Sequence, residues 1–233
     1  MKVYGVDFSP FVQRVLLAAR LKGHVLPTAP LPGGTFDSPD FAAISPMRRI
    51  PVLDDDGWTL AESGAIVDYL DEALDGPSLL PADPRERARA RMIERLIEND
   101  IAPNPRPFMV TRVFAIRSEE PAITDAARAQ LDAGFDALER ARTASDVYAV
   151  GATPTRVDAL LTPVLALWDM IDPLVDSRRQ IAARPGDRGL FRHGRTRPGA
   201  GRGNFDDAER LHADGRAGDG AAGDGLSGTG RLR

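Results

Sequence analysis

Three short stretches carry residues that could do chemistry. Ser9-Pro10-Phe11 sets a hydroxyl where a strand turns into a helix: Ser is a strong N-cap and Pro suits the first helical position. That pattern is a helix cap in its own right, and it is equally compatible with a ligand. A hydroxyl at a helix start can donate to an anion that the helix N-terminus already favours. Lowering the pKa of a bound thiol by about two takes roughly 2.7 kcal/mol of preference for thiolate, and one donor plus a helix end can supply most of it. Ile50-Pro51 stands between apolar strand residues, where a Pro without a ladder donor is out of place. Either Pro51 lies in trans on an edge strand, or a cis Ile-Pro bond leaves the N–H and C=O of Ile50 facing outward to pair with an extended peptide. Glu62-Ser63-Gly64 opens another helix. It is a plain N-cap or, functionally, a carboxylate site (Ser63) beside an ammonium site (Glu62), which suits the α-amino acid end of a ligand.

Other motifs resolve to structure. Thr155-x-x-Asp158 is a capping-box variant that nucleates an apolar helix, and a buried Asp158 requires free backbone donors. Asp54-Asp55-Asp56-Gly57 is a turn, because the twelfth position of a calcium loop would be Ala65. Gly199 to Gly203 lacks the strand and helix of a dinucleotide loop. His24, His193 and His212 have no metal-ligand spacing, so no metal is expected.

The elements that must position these residues fall into two kinds. Lys2–Val6 reads as a strand, Ser9-Pro10 to Gly23 as a helix, and Pro27 to Gly34 as a weak edge strand at most. A short helix begins at Ser38-Pro39. Residues 50–53 and 58–61 form a hairpin, and a helix runs from Glu62-Ser63 to about Leu74. The order β-α-β-α-β-β-α is a small α/β unit, residues 1–76. After a turn-rich linker, residues 84–185 read as all helix: Arg85–Ile101, bent or ended by Pro103, Pro105 and Pro107, then Thr124–Arg142, a central apolar helix Thr155–Ile171, and a start at Ser177–Arg184.

Composition narrows the function. The 233 residues carry a net charge of −4 and contain no cysteine. Disulfides, thiolate metal sites and thiol nucleophiles of the chain's own are excluded, so any thiol chemistry uses a thiol brought by the substrate. There is no global basic field for nucleic acid, and the longest apolar segment is too short to span a bilayer. No signal peptide is visible, so a cytoplasmic protein is expected. Residues 186–233 break the pattern, with 13 of the 22 glycines and few large apolar side chains. This tail is expected to be disordered. It holds nine basic and seven acidic residues, which leaves 21 basic and 27 acidic in the body.

In order and spacing, SPF, RRIPVL, AESGAI, the SLLPADP linker and GATPTRVDALL resemble a cytosolic-type glutathione transferase over residues 1 to about 185. SPFVQRV looks most like the serine-type, tau-like members. The resemblance implies a thioredoxin-like N-terminal domain and an all-helical C-terminal domain, with glutathione as co-substrate, no metal, and a homodimer. It implies that Ser9 stabilises the glutathione thiolate, that Ile50 beside cis Pro51 pairs with the cysteinyl backbone, and that Glu62 and Ser63 hold the γ-glutamyl end. Arg49 would lie near the glycine carboxylate, and Phe11, Phe108, Met109 and Arg112 would line the electrophile pocket. Tyr4 is a rival thiolate donor, disfavoured by its place inside a strand. Asp37 departs from the basic residue often found there and would repel a carboxylate. The tail departs more strongly. Codons for Asp187–His193, read one base later, can spell Ile-Ala-Ala-Tyr-Phe-Ala, so a shifted reading frame is an alternative origin for it.

The implied activity is attack of glutathione on a small hydrophobic electrophile. The alternatives are a glutathione-dependent isomerase, lyase or dehalogenase, and a glutathione-binding interaction protein without turnover.

Overall fold

In the computed structural model, residues 1–143 and 146–175 are described. The expected helix start at Ser177–Arg184 and the tail 186–233 lie outside them. The chain runs β1 (Lys2–Tyr4), α1 (Pro10–Leu21), β2 (Thr28–Ala29), α2 (Pro39–Ile44), β3 (Val52–Asp55), β4 (Trp58–Ala61) and α3 (Ser63–Ala73). Then follow α4 (Pro84–Leu96), α5 (Pro105–Phe108), α6 (Pro121–Ala141) and α7 (Arg156–Val175). This is the β-α-β-α-β-β-α order read from the hydrophobic pattern, the thioredoxin-like unit that the resemblance implied, followed by a helical half.

The four strands lie in the order β2-β1-β3-β4, with β1 parallel to β2 and the other pairings antiparallel. β1 ends at Tyr4, two residues earlier than its alternation suggests. Val3 and Leu53 face a core that α1 fills with Val12, Val15, Leu16 and Ala19, and α3 with Ile66, Val67 and Leu70. All but Leu16 are fully buried. Burying a side chain of this size is worth about 1.5–3 kcal/mol, so this seam holds both helices on one face of the sheet. α2 touches β4 near the other end of the order.

The helical half packs Ile93, Ile97, Phe108, Leu131, Phe135, Leu138, Leu160, Val164 and Trp168 into a second core. α7 is central, as its nearly all-round apolar pattern implies. Ala159 reaches the N-terminal core, and α7 lies directly on α1. α6 crosses close over the end of α4: a Cβ on Gly134 would come within 2.8 Å of the Asp100 carbonyl oxygen. The linker between the halves is pinned to Lys22, whose Nζ donates to the Asp71 and Pro77 carbonyls.

The prolines at 103, 105 and 107 bend the path rather than stop it. α4 continues as a π-helical turn, Ile97–Ile101, and α5 passes into another, Met109–Val113. Pro105 and Pro121 occupy first-turn positions of α5 and α6, where a missing N–H costs nothing. α6 therefore starts three residues before the apolar pattern does.

Two buried aspartates organise the loop into α7. Asp158 accepts from the backbone N–H of Ala149 and Thr155 (both 2.8 Å) and from Thr155 Oγ1 (3.0 Å), the free donors its burial demanded. Asp146 accepts from Arg89 in a bidentate pair (2.6 and 2.8 Å) and from the amides of Thr143 and Gly151. The Arg89 guanidinium holds the Asp146 carboxyl well below its ordinary value of 3.8, and the two amides add to this. A lowered folded value means that the unfolded chain protonates first as pH falls. The pair's contribution is thus present above pH 3.8 and is lost below it. Asp146→Asn is expected to cost about 3 kcal/mol at pH 7, with the deficit relative to wild type shrinking at pH 3. Urea midpoints at the two pH values check this, and an unchanged deficit would contradict it.

Candidate functional site

The last rungs of the sheet assemble the site. Tyr4 pairs with Val52, and Val52 pairs with Ala61. The segments that leave this row (the turn to Ser9, the stretch Ile50-Pro51, and Glu62-Ser63) therefore emerge at one end of the strands. Three motifs separated by up to 54 residues in sequence are brought together by register alone. A Cβ built on Gly5 would touch Ile50 at 3.6 Å, so the first two segments are in contact. Arg14 bonds Ser63, which joins α1 to the start of α3.

Ser9 is the N-cap of α1 with Pro10 at the first turn, as the local pattern requires. Its Oγ accepts from the Val12 N–H at 3.4 Å. That is beyond the usual range for such a bond, which leaves the half-buried hydroxyl weakly committed to the cap. The turn carrying it is fixed by Ser9 N–H to the Val6 carbonyl (3.0 Å) and by Gln13 Nε2 to the Asp7 carbonyl (2.7 Å). Gln13 is a positioning contact that the motif reading overlooked. The rival hydroxyl is turned elsewhere: Tyr4 donates to Asp54 Oδ2 at 2.9 Å, where Lys2 also pairs.

The Ile50-Pro51 bond is cis, Pro51 is buried, and Ile50 is half-buried just beyond the ladder. Arg49 is anchored through its backbone, with Ser45 Oγ accepting from its N–H and donating to its carbonyl, both at 2.9 Å. The Arg49 side chain is exposed. Asp37 is paired with Arg48 at 2.8 Å, so the repulsion expected of its carboxylate is offset locally.

Glu62 holds φ +71° and ψ 110°, outside the helical and extended regions, at the residue before α3. Such a conformation costs about 1–3 kcal/mol and concentrates at functional sites. Its exposed side chain makes no capping bond, so the α3 N-terminus is left open. Ser63 is buried, and its Oγ accepts from Arg14 Nη1 at 3.0 Å.

Arg14, only 1% exposed, is the main feature the motif reading missed. It pairs with buried Glu94 and, at 2.7 Å, with Glu98. Glu94 also accepts from Arg156 Nε at 2.9 Å, and Arg156 pairs with Asp68 and reaches the Gly64 carbonyl. The α3 start is thus gripped by cations from α1 and α7, both held by carboxylates of α4 and its continuation.

On the helical side, Phe11 and Met109 are half-buried against the second core. Phe108 corrects the expected pocket lining. It is fully buried, edge-on to Trp168, and backs the site rather than facing it. The guanidiniums of Arg112 and Arg128 lie 5.8 and 5.5 Å from its ring. Arg112 pairs with Glu119 (2.9 and 2.5 Å), which holds the Glu119 carboxyl below its ordinary range. Among the described residues no acidic or histidine cluster could hold a metal ion, and no helix is long and apolar enough to cross a membrane.

The family profile "Glutathione S-transferase, N-terminal domain" matches residues 3–78, and "Glutathione S-transferase, C-terminal domain" matches residues 121–192. A maleylacetoacetate isomerase of Rattus norvegicus is 35% identical over 158 residues, 66% of this chain and 71% of that protein. A glutathione S-transferase of Pseudomonas putida is 35% identical over 140 residues, 60% of this chain and 62% of that protein. Among solved structures, a holo maleylpyruvate isomerase described as a bacterial zeta-class glutathione S-transferase is 28% identical with a TM-score of 0.67, covering 91% of this chain and 96% of that one. A maleylacetoacetate isomerase of Methylobacterium extorquens with bound malonate and GSH is 28% identical with a TM-score of 0.69 at the same coverage. These relatives do not support the tau-like reading of SPFVQRV.

Proposed function

The chain belongs to the glutathione S-transferase family, and from that premise we propose that it is an enzyme in which the thiolate of bound glutathione adds to an unsaturated carboxylic acid and isomerises it. Residues 1–76 form the glutathione-binding unit and 84–185 the helical unit that carries the electrophile side. The observation that carries this reading is that the segments of Ser9, Ile50-Pro51 and Glu62-Ser63 leave the sheet at one end of the strands. The relatives named as maleylacetoacetate and maleylpyruvate isomerases support the isomerase form, as does the solved maleylacetoacetate isomerase with bound malonate, a dicarboxylate, and GSH.

Ser9 Oγ donates to the sulfur and, with the α1 N-terminus, favours thiolate over thiol. Ile50 aligns the cysteinyl backbone, Arg49 receives the glycine carboxylate, and Glu62 and Ser63 hold the ammonium and carboxylate of the γ-glutamyl end. The thiolate attacks the conjugated double-bond carbon, and the bond's electron pair passes onto the adjacent carbonyl. Rotation about the resulting single bond and expulsion of the thiolate give the trans acid and regenerate glutathione. Arg112 anchors the substrate carboxylate by exchanging its half-exposed Glu119 partner, while Phe11 and Met109 supply apolar wall. With an electrophile bearing a leaving group, the same first step gives a stable conjugate, the transferase reaction. A cytoplasmic homodimer completes the reading.

The test supplies a cis-unsaturated keto acid of the maleyl type and, separately, a chlorinated aromatic, each with catalytic or stoichiometric glutathione. The expected result is isomerisation that requires glutathione without consuming it. Retention on immobilised glutathione with no turnover of either substrate would overturn the reading in favour of a binding protein.

A further inference from the structure

We propose that Phe8 determines specificity on the electrophile side, and that it selects an unsaturated keto acid with a single carboxylate and an aromatic group on the ketone; this rests on the isomerase reading above. Phe8 lies in the four-residue turn from Val6 to Ser9. The turn is closed by the Ser9 N–H to the Val6 carbonyl at 3.0 Å and braced by Gln13 Nε2 to the Asp7 carbonyl at 2.7 Å. Turn positions favour Gly, Pro, Asn, Asp and Ser, each for a backbone or hydrogen-bonding reason, and a phenyl ring serves none of them. Nor does the ring serve the interior: Phe8 is 63% exposed, and among the described residues it packs into neither core.

Position gives the ring a use. Phe8 directly precedes Ser9, so their Cα atoms are about 3.8 Å apart, and a group carried by the carbon that meets the sulfur at Ser9 comes within reach of the ring. Phe8 and Phe11 flank the Ser9-Pro10 pair, and Phe11 is half-buried against the second core, as is Met109. The wall of Phe11 and Met109 is thus committed to packing, whereas Phe8 has a whole ring to offer. An aromatic partner gains most there, because two rings attract beyond the area they bury. Charge narrows the class further. Asp7 is exposed beside Phe8 in the same turn, and Arg112 already pairs with Glu119. One substrate carboxylate can replace Glu119 on Arg112, but a second one near the turn meets Asp7 and is repelled.

The test follows glutathione-dependent isomerisation of cis-β-benzoylacrylate, of cis-β-acetylacrylate, in which methyl replaces phenyl, and of the keto diacid with carboxymethyl in that place. Rates are corrected for the uncatalysed reaction with glutathione. Wild type is expected to favour the phenyl over the methyl ketone by about tenfold in kcat/KM, mostly through KM, the order of one aromatic contact and the area it buries. Phe8→Ala should bring that ratio to within about twofold and Phe8→Trp should keep it. Replacing an exposed turn residue costs little stability, and the thiol of bound glutathione should titrate as in wild type. Asp7→Asn should raise kcat/KM for the diacid relative to the phenyl ketone by about two- to fivefold, the range for an exposed charge pair. A ring that only shapes the turn would instead lower all substrates alike in Phe8→Ala. That result, or a wild type with no phenyl preference, overturns the proposal while turnover of the methyl ketone upholds the isomerase reading. An unchanged diacid ratio in Asp7→Asn overturns the single-carboxylate part. Turnover of none of these acids by wild type overturns both readings.

Discussion

Ser9→Ala is expected to lower kcat/KM at neutral pH by about a hundredfold while leaving the fold intact. In the proposed reaction the Ser9 oxygen has two roles of unequal weight. As a cap it accepts from Val12 N–H at 3.4 Å, a long bond that places the stability cost near the low end of about 0.5–2 kcal/mol. As the proposed thiolate donor it would share with the α1 N-terminus most of roughly 2.7 kcal/mol, the energy that lowers a thiol pKa by about two. The pH–rate profile separates the two roles. Its acidic limb, where the thiol loses its proton, should move up toward the pKa of a free thiol in Ser9→Ala and stay near wild type in Ser9→Thr, which keeps the hydroxyl. An unmoved limb would mean that another group stabilises the sulfur.

Glu94→Ala carries the largest expected effect on stability. Glu94 is 2% exposed and is shared by Arg14 and Arg156, themselves 1% and 2% exposed. Removing it leaves two buried guanidiniums short of a partner across the junction of α1, α4 and α7. Breaking a buried pair costs about 3–5 kcal/mol, most of it the penalty of uncompensated charge. At about 2–4 °C per kcal/mol for a chain of this size, Tm should fall by about 10 °C or more. Calorimetry checks the value, and a fall of only one or two degrees would show that water or rearrangement rescues the pair. Glu94→Gln keeps the shape and one acceptor, and should fall between the two.

The difference between these two residues explains what could be read from the chain. Ser9-Pro10 is legible because capping is local: a cap residue, a first-turn Pro and the following apolar spacing all lie within one helix. Ile50-Pro51 is legible because a Pro amid strand residues is a contradiction that only an edge or a cis bond removes. Thr155 and Asp158 are legible because a buried carboxylate in the first turn of a helix, three residues after its capping Thr, has few partners to choose from. Glu94 and Arg156 have no such signature; their partners lie 62 to 88 residues away and meet only after both halves pack. Arg14 did leave a trace. It interrupts a helix whose residues from Val15 to Ala19 are all buried, and a charge enclosed by apolar neighbours requires a paired acid.

The helical half was harder. Pro103, Pro105 and Pro107 look like terminators, yet first-turn Pro and π-helical turns let the chain stay helical through Val113. That path buries Phe108 completely, where the family resemblance had implied a residue lining the electrophile pocket. Arg112 follows one turn later and does reach solvent, paired with Glu119.

The most direct measurement is the ultraviolet absorbance of the thiolate in glutathione bound to wild type and to Ser9→Ala, titrated with pH. Ser9 as the sulfur's donor predicts a bound thiol pKa about two below that of free thiol in wild type, and a clear rise toward the free value in Ser9→Ala. A bound thiol that titrates like the free peptide in wild type, or identically in both proteins, would contradict it.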